Sequence, residues 1–361
     1  MSDWVEYCNL SVGYWGRLRA ANGYKRPHNV KYWSVGNENW GGHEIGAKTV
    51  AQWGPFVRES AKLMRGADKS IKLFAAATPD EGWTLPLLKS AGYLLDYISI
   101  HRYYVGESCS NPNAYLECMM RTMNPERDIT RTIAILEKAG YGGGRVAIAF
   151  DEWNLRYWFH PGLGAFRRDA KVDYPGRRRN DIAATYNMAD AVFASCFLNT
   201  CLRHGDIVKM ANFSPIVNTR GAIYVHPKGI VKRTTFHVFW MYTNLLEPNV
   251  QLVSLVSPDL KSGKRSVPVL DGVMTVSDDG SRRVLAIANK HPTDKIRLDV
   301  SAFTSAEKLE GTSLAGESAA DYNDIGHENR VVPRKTVFSV ENGCIELPPH
   351  SVSCINIGTL P

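Results

Sequence analysis

The sequence predicts an α/β fold built on a parallel sheet, followed by an antiparallel β-sandwich. Two observations predict it. Short apolar runs alternate with longer amphipathic segments up to about Pro248. Beyond that point the pattern changes to short alternating strands and turn pairs with no strong helical period.

The apolar runs are residues 30–35 (VKYWSV), 71–77 (IKLFAAA), 97–101 (YISIH), 145–150 (RVAIAF) and 207–213 (IVKMANF). Each is short, rich in small, β-branched or aromatic residues, and followed by a polar or Gly/Pro segment. These are the marks of buried parallel strands. Residues 49–67 place Val50, Trp53, Val57, Ala61 and Met64 at helical spacing. Gly54-Pro55 within that stretch predicts that the regular helix starts only at Pro55. Residues 128–139 repeat the spacing through Ile129, Ile133, Leu136 and Ala139 and stop before Gly140. Residues 181–198 do so through Ala184, Met188, Ala191, Val192 and Ser195. Strand–helix alternation implies βαβ units.

In the second part, Asp271-Gly272, Asp279-Gly280 and Asn342-Gly343 read as turns. Residues 296–300 and 344–347 alternate apolar and polar positions. The expected division is residues 1–247 for the α/β part and 248–361 for the sandwich.

Composition narrows the function. Apolar residues make up 44% of the 361, enough for a sizeable core. Nine Trp and sixteen Tyr are more than packing alone requires, and flat aromatic faces suit sugar rings. The net charge of +7 is partly local, in Arg167, Arg168, Lys171, Arg177, Arg178 and Arg179, which read as an exposed loop. Neither a basic helix nor aromatic-lined strands accompany it, which argues against nucleic acid as a partner. Seven cysteines without a CxxC pair argue against a zinc site and a full disulfide framework, although Cys109 and Cys118 could bridge within one loop. Mostly free thiols fit a reducing compartment. The opening MSDWVEYCNL lacks the pattern of a signal peptide, and no run of 18 apolar residues occurs, so a cytoplasmic protein without membrane contact is expected. The glycine-rich loops match neither GxGxxG nor GxxxxGK[ST], and no nucleotide, metal or redox cofactor is implied.

Two carboxylates carry the chemistry. Glu38 follows the first apolar run through Gly36-Asn37, and Glu152 follows the fourth through Asp151. Both lie at the carboxyl end of an expected parallel strand, the face where β/α barrels build active sites. Glycoside hydrolysis needs such a pair: one carboxyl protonates the leaving oxygen, and the other attacks the anomeric carbon. A separation of about 5–5.5 Å gives retention of configuration. Glu38 as the acid calls for a raised pKa, from burial or from the charge of Glu152. Asn37 can donate to a sugar hydroxyl.

The segments YWSVGNENWG (residues 32–41) and IAFDEWN (148–154) resemble the acid/base and nucleophile motifs of α-L-arabinofuranosidases of glycoside hydrolase family 51. DYISIHRYY (96–104) and MANFSPIVNTRG (210–221) are similar to that family's strand-6 and strand-8 segments. The resemblance covers essentially the whole chain. It implies a (β/α)8-type barrel, incomplete in that only strands 4 to 8 are present, followed by a jelly-roll-like β-sandwich. It implies Glu38 as acid/base, Asn37 as the contact to the 2-OH, and Glu152 as nucleophile. His101 and Tyr103 then orient the nucleophile and line the furanose pocket. Trp40, Trp153, Tyr157 and Trp158 stand near these motifs as candidate cleft residues or core.

The sequence departs from the family in three ways. Only 37 residues precede Glu38, where relatives carry three further strands. A five-stranded parallel sheet has open edges, so three explanations stand: the chain is a fragment of a longer gene product, or, as is expected, a second chain or further copies of this one complete it. Arg156 stands where many relatives have an aromatic residue, and Pro215 where many have Gln. The expected function is retaining, exo-acting release of α-L-arabinofuranosyl groups from plant cell-wall carbohydrate. The alternatives are the same dyad acting on β-1,4-xylan or glucan, and a non-catalytic carbohydrate-binding or structural subunit.

Overall fold

A computed structural model describes residues 1–104, 114–155, 186–218 and 221–358. Cys109, Arg156, Tyr157, Trp158 and the basic cluster 167–179 lie outside them. The chain divides into two compact units. The first comprises residues 1–102, 126–152 and 206–212, the second 103–125, 153–205 and 213–361.

The first unit is organised by a sheet of five strands in sequence order: β1 (Tyr32–Val35), β2 (Lys72–Ala77), β3 (Tyr97–Tyr103), β4 (Ala147–Asn154) and β5 (Val208–Phe213). β1 and β2 run parallel with Trp33 opposite Leu73 and Val35 opposite Ala75. β2 and β3 run parallel with Ala75 opposite Ile98 and Ala77 opposite Ile100. Leu73, Ala75, Ile98, Ile100, Ile148 and Ala149 are wholly buried. Strands covered on both sides need no polar alternation, which is why their sequences read as continuous apolar runs.

Helices α1 (Ser2–Asn9), α2 (Gly13–Ala21), α3 (Val50–Ala67) and α4 (Glu81–Ala91) belong to this unit. α3 begins at Val50, not at Pro55. Thr49 N–H donates to Gln52 Oε1, the return half of a Thr-x-x-Gln capping box, and this fixes the start one turn earlier. Pro55 then lies inside the helix. Trp53 of α3 is 1% exposed; its Nε1 donates to Ala76 O at 2.9 Å, and its ring stacks on Phe56 and Trp83. At the amino end of β3, Asp96 accepts from Leu73 N–H and pairs with Arg65 and Lys72, which ties β2, β3 and α3.

In the second unit α5 (Ala114–Met119) precedes α6 (Asn124–Lys138), most of which returns to the first unit. α7 (Met188–Arg203) is buried along nearly its whole length and packs on strands of the large sheet. A hairpin of β6 (Ile223–His226) and β7 (Gly229–Lys232) leads into α8 (Thr234–Leu245). Then follow β8 (Asn249–Gln251), β9 (Asp259–Ser262), β10 (Arg265–Pro268), β11 (Leu270–Val276), β12 (Arg283–Asn289), β13 (Ile296–Asp299), β14 (Lys308–Leu314), β15 (Arg334–Ser339), β16 (Cys344–Leu347) and β17 (Ser351–Asn356).

Six of these form one antiparallel sheet in the order β15-β14-β17-β12-β11-β8, and β9/β10 and β13/β16 pair separately. Asp279-Gly280 and Asn342-Gly343 occupy the expected turns. Asp271-Gly272 does not: it lies inside β11. Asp271 is buried and accepts from Asn199 and Arg203 of α7, so its carboxylate anchors helix to sheet. Among the described residues no helix is long and apolar enough to cross a membrane. Cys8, Cys196, Cys344 and Cys354 carry free thiols.

Replacing Trp53 by Ala removes a buried ring and one of the two indole N–H donors to Ala76 O, the other being Trp83 Nε1. The loss in unfolding free energy should be about 3–5 kcal/mol, measured by urea titration. A loss under about 1 kcal/mol would show that Trp53 does not hold α3 to the sheet.

Candidate active site

The site is built at the carboxyl edge of β1, β3 and β4. Glu38 stands three residues beyond β1, held by a tight turn. Gly36 has φ +78°, and a Cβ there would fall 1.9 Å from Asn39 Oδ1 and 2.6 Å from Trp53. Only glycine fits that approach. Glu38 itself takes φ +41°, a left-handed conformation that costs a non-glycine residue roughly 1–2 kcal/mol. The turn is closed by Gly41 N–H donating to Glu38 O at 2.7 Å, Lys48 N–H to Asn39 O at 2.8 Å, and Asn39 Nδ2 to Gly46 O at 2.7 Å.

On β3, Ser99 and His101 share one face, two residues apart. On β4, Asp151 and Glu152 sit near the strand's carboxyl end. His101 is the hub. Its side chain is only 7% exposed. Its Nδ1 lies 2.9 Å from Glu38 Oε1 and 3.3 Å from Glu152 Oε2, and its Nε2 lies 3.6 Å from Asp151 Oδ1. Ser99 Oγ donates to Asp151 Oδ1 at 2.8 Å. One carboxylate oxygen each of Glu38 and Glu152 and a nitrogen of His101 all lie within 4.8 Å of one another. Histidine and carboxylate donors also suit divalent cations. Here hydrogen bonds and ion pairs among the groups themselves account for the spacing.

Burial alone would lower the pKa of His101. Hydrogen bonds to Asp151 and Glu38 and the charges of Asp151 and Glu152 outweigh it and raise the ring to about 10. Glu38 moves the other way. The hydrogen bond from His101 is the largest influence, and together with His43 it overcomes burial and holds the carboxyl below its ordinary value. The raised Glu38 pKa expected from burial or Glu152 is therefore corrected for the substrate-free chain: a buried imidazolium beside the carboxylate wins.

The other expected residues divide. Asn37 is exposed beside Glu38, and Trp40 is half-buried in the same loop. Tyr103, at the end of β3, donates from Oη to Ser214 Oγ at 3.0 Å within the second unit. Trp153 is corrected from candidate sugar contact to core: it is 0% exposed and stacks on Phe197 at 3.7 Å between ring centroids. Phe213 meets the same ring edge-on at 5.2 Å, so apolar packing claims it. Sequence reasoning assigned no role to Ser99, Asp151 or His43. The i, i+2 spacing of Ser99 and His101 was the available signal for the first. His43 offered none, because its contact depends on the turn.

A parallel sheet carrying two glutamates at its carboxyl edge is the layout of a paired-carboxylate glycosidase. The comparisons agree. Residues 1–121 match the family described as the alpha-L-arabinofuranosidase 1 domain, and residues 151–351 the alpha-L-arabinofuranosidase C-terminal domain. The chain is 31% identical over 328 residues to an intracellular exo-α-(1→5)-L-arabinofuranosidase of Halalkalibacterium halodurans, covering 87% of this chain and 64% of that relative. It is 28% identical over 348 residues to the Bacillus subtilis intracellular exo-α-(1→5)-L-arabinofuranosidase 1, covering 94% and 67%. The crystal structure of an α-L-arabinofuranosidase from Thermotoga maritima, an arabinose complex, superposes with a TM-score of 0.83 at 25% identity, over 99% of this chain and 72% of that one. The chain belongs to the family described as the alpha-L-arabinofuranosidase C-terminal domain, and spans about two thirds of the length of these relatives.

A histidine whose pKa is raised on folding stabilises fully below its ordinary value of 6.5 and loses that contribution as pH climbs through about 10. The stability difference between wild type and His101→Asn should be largest near pH 6 and shrink towards pH 10 in urea unfolding. A difference independent of pH would remove the imidazolium from the site.

Proposed function

We propose that this chain carries the catalytic dyad of a retaining, exo-acting α-L-arabinofuranosidase acting on arabinose-containing plant cell-wall carbohydrate. The observation that supports it most is that Glu38 Oε1 and Glu152 Oε2 both reach His101 Nδ1, at 2.9 and 3.3 Å, so the two carboxylates converge on one point as a glycosidase pair must. Two glutamates far apart in sequence are brought to one point by the sheet.

The mechanism is double displacement. Glu152 attacks the anomeric carbon as the glycosidic C–O bond breaks, and Glu38, taking up a proton as the substrate displaces the donors that hold its carboxylate, passes it to the leaving oxygen. A water then loses a proton to Glu38 while its oxygen attacks the same carbon, and Glu152 departs as a carboxylate. His101 spans both carboxylates and keeps them at working distance. Asp151, fixed by Ser99, balances the charge of that ring. Asn37 is placed to meet a sugar hydroxyl, and Trp40 stands in the same loop.

In the same reading, β1–β5 correspond to strands 4 to 8 of the barrel and residues 248–361 to the sandwich domain. A second chain or another copy supplies the rest of the barrel. Among the described residues β1 and β5 lie at the two ends of the strand order, which supports this. The names of the relatives, called intracellular, support a cytoplasmic setting.

Glu152→Ala should lower hydrolysis of an aryl α-L-arabinofuranoside by at least about 10⁴-fold, and a loss of only a few-fold would overturn the nucleophile assignment. Glu38→Ala should depress turnover of poor leaving groups far more than of activated aryl glycosides. Equal losses on both would remove Glu38 as acid/base. The elution mass of the active species tests the completing chain: activity at the mass of one chain rejects it.

A further inference from the structure

The two oxygens of Glu38 meet different partners. Oε1 pairs with the buried ring of His101, whereas Oε2 lies 2.9 Å from Nε2 of His43, whose side chain is 61% exposed. That exposed ring is seated by its surroundings. Gly41 passes so close that a Cβ there would fall 2.3 Å from His43 Cε1. Trp40 meets the ring edge-on at 6.1 Å, and Glu44 Oε1 lies 3.5 Å from the same Nε2. All of these residues stand on the turn that Asn39 closes.

An acid/base must carry its proton on an oxygen that the leaving group can reach. Oε1 faces a buried ring; Oε2 faces a solvent-exposed one. Resting on the function proposed above, we propose that His43 is a positioning residue for Glu38. It holds Oε2 in the free protein and yields that oxygen to the leaving-group oxygen when substrate enters. His43 thereby marks the leaving-group side of the site. The titratable groups around this pair are His101 from β3, Asp151 and Glu152 from β4, and Glu44 from the turn itself. After the larger effect of the His101 hydrogen bond, His43 also acts to lower the Glu38 carboxyl. Its removal should let Glu38 keep its proton to higher pH.

The test is a ¹³C NMR titration of the full chain labelled at glutamate side-chain carboxyls, with Glu38→Gln identifying the resonance. In His43→Ala the Glu38 midpoint should rise by about half to one pH unit, the scale of one lost hydrogen-bonded donor. In His43→Gln, which keeps a neutral donor, it should rise less. Gly41→Ala, which pushes the ring aside, should reproduce the direction with His43 intact. The basic limb of kcat/KM on an aryl arabinofuranoside should move with the midpoint. An unchanged Glu38 midpoint in His43→Ala and Gly41→Ala overturns the proposal. A moved midpoint in a chain that hydrolyses no arabinofuranoside upholds the contact while rejecting the activity, so the two readings fail separately.

Discussion

Carboxylates crowded together repel, and the carboxyl edge of the sheet gathers Glu38, Asp151 and Glu152 around one ring. His101 makes that gathering stable. Its two nitrogens reach three acids, and burial strengthens each interaction by keeping water away. Remove the ring, and the acids have reason to part. The spacing of the two glutamates is thus a property of the imidazolium as much as of the sheet.

The sheet contributes what the ring cannot, which is precision. β1, β3 and β4 end on the same edge, and their apolar residues lock each strand from both sides. Ser99 and His101 point the same way because a strand alternates every residue. Glu38 is reached by other means. It lies past the strand, on a turn that needs glycine at position 36 and a left-handed backbone at its own position. Strain of that kind persists only where neighbours over-determine it, and the hydrogen bonds of Asn39, Gly41 and Lys48 do so here.

Much of this was legible in the residues. The five parallel strands were, because strands buried on both faces write themselves as unbroken apolar runs. So was the position of Glu38 and Glu152 at the strand ends, because each follows such a run. What escaped depends on neighbours distant in sequence. The dipeptide Asp271-Gly272 carries turn chemistry, yet Asn199 and Arg203 claim its carboxylate and keep it in a strand. Pro55 looked like a helix start, but the cap at Thr49 outweighed it. α4 was hidden by Pro86, which sits inside a short helix capped by Asp80. Trp153 stands next to Glu152, and only its stacking on Phe197, distant in sequence, assigns it to the core. His43 is invisible to periodicity because a loop has none.

α7 deserves a last consequence. Among the described residues it is the most deeply buried helix of the second unit, and the large antiparallel sheet packs against it, tied by Asn199, Arg203 and Asp271. A gene fragment beginning after Leu245 would encode every strand of that sheet while omitting the helix that shields it. Such a fragment would present an oily surface and a carboxylate stripped of its cation, the recipe for inclusion bodies. Modular reuse of the sandwich therefore has to carry α7 along as part of the cassette.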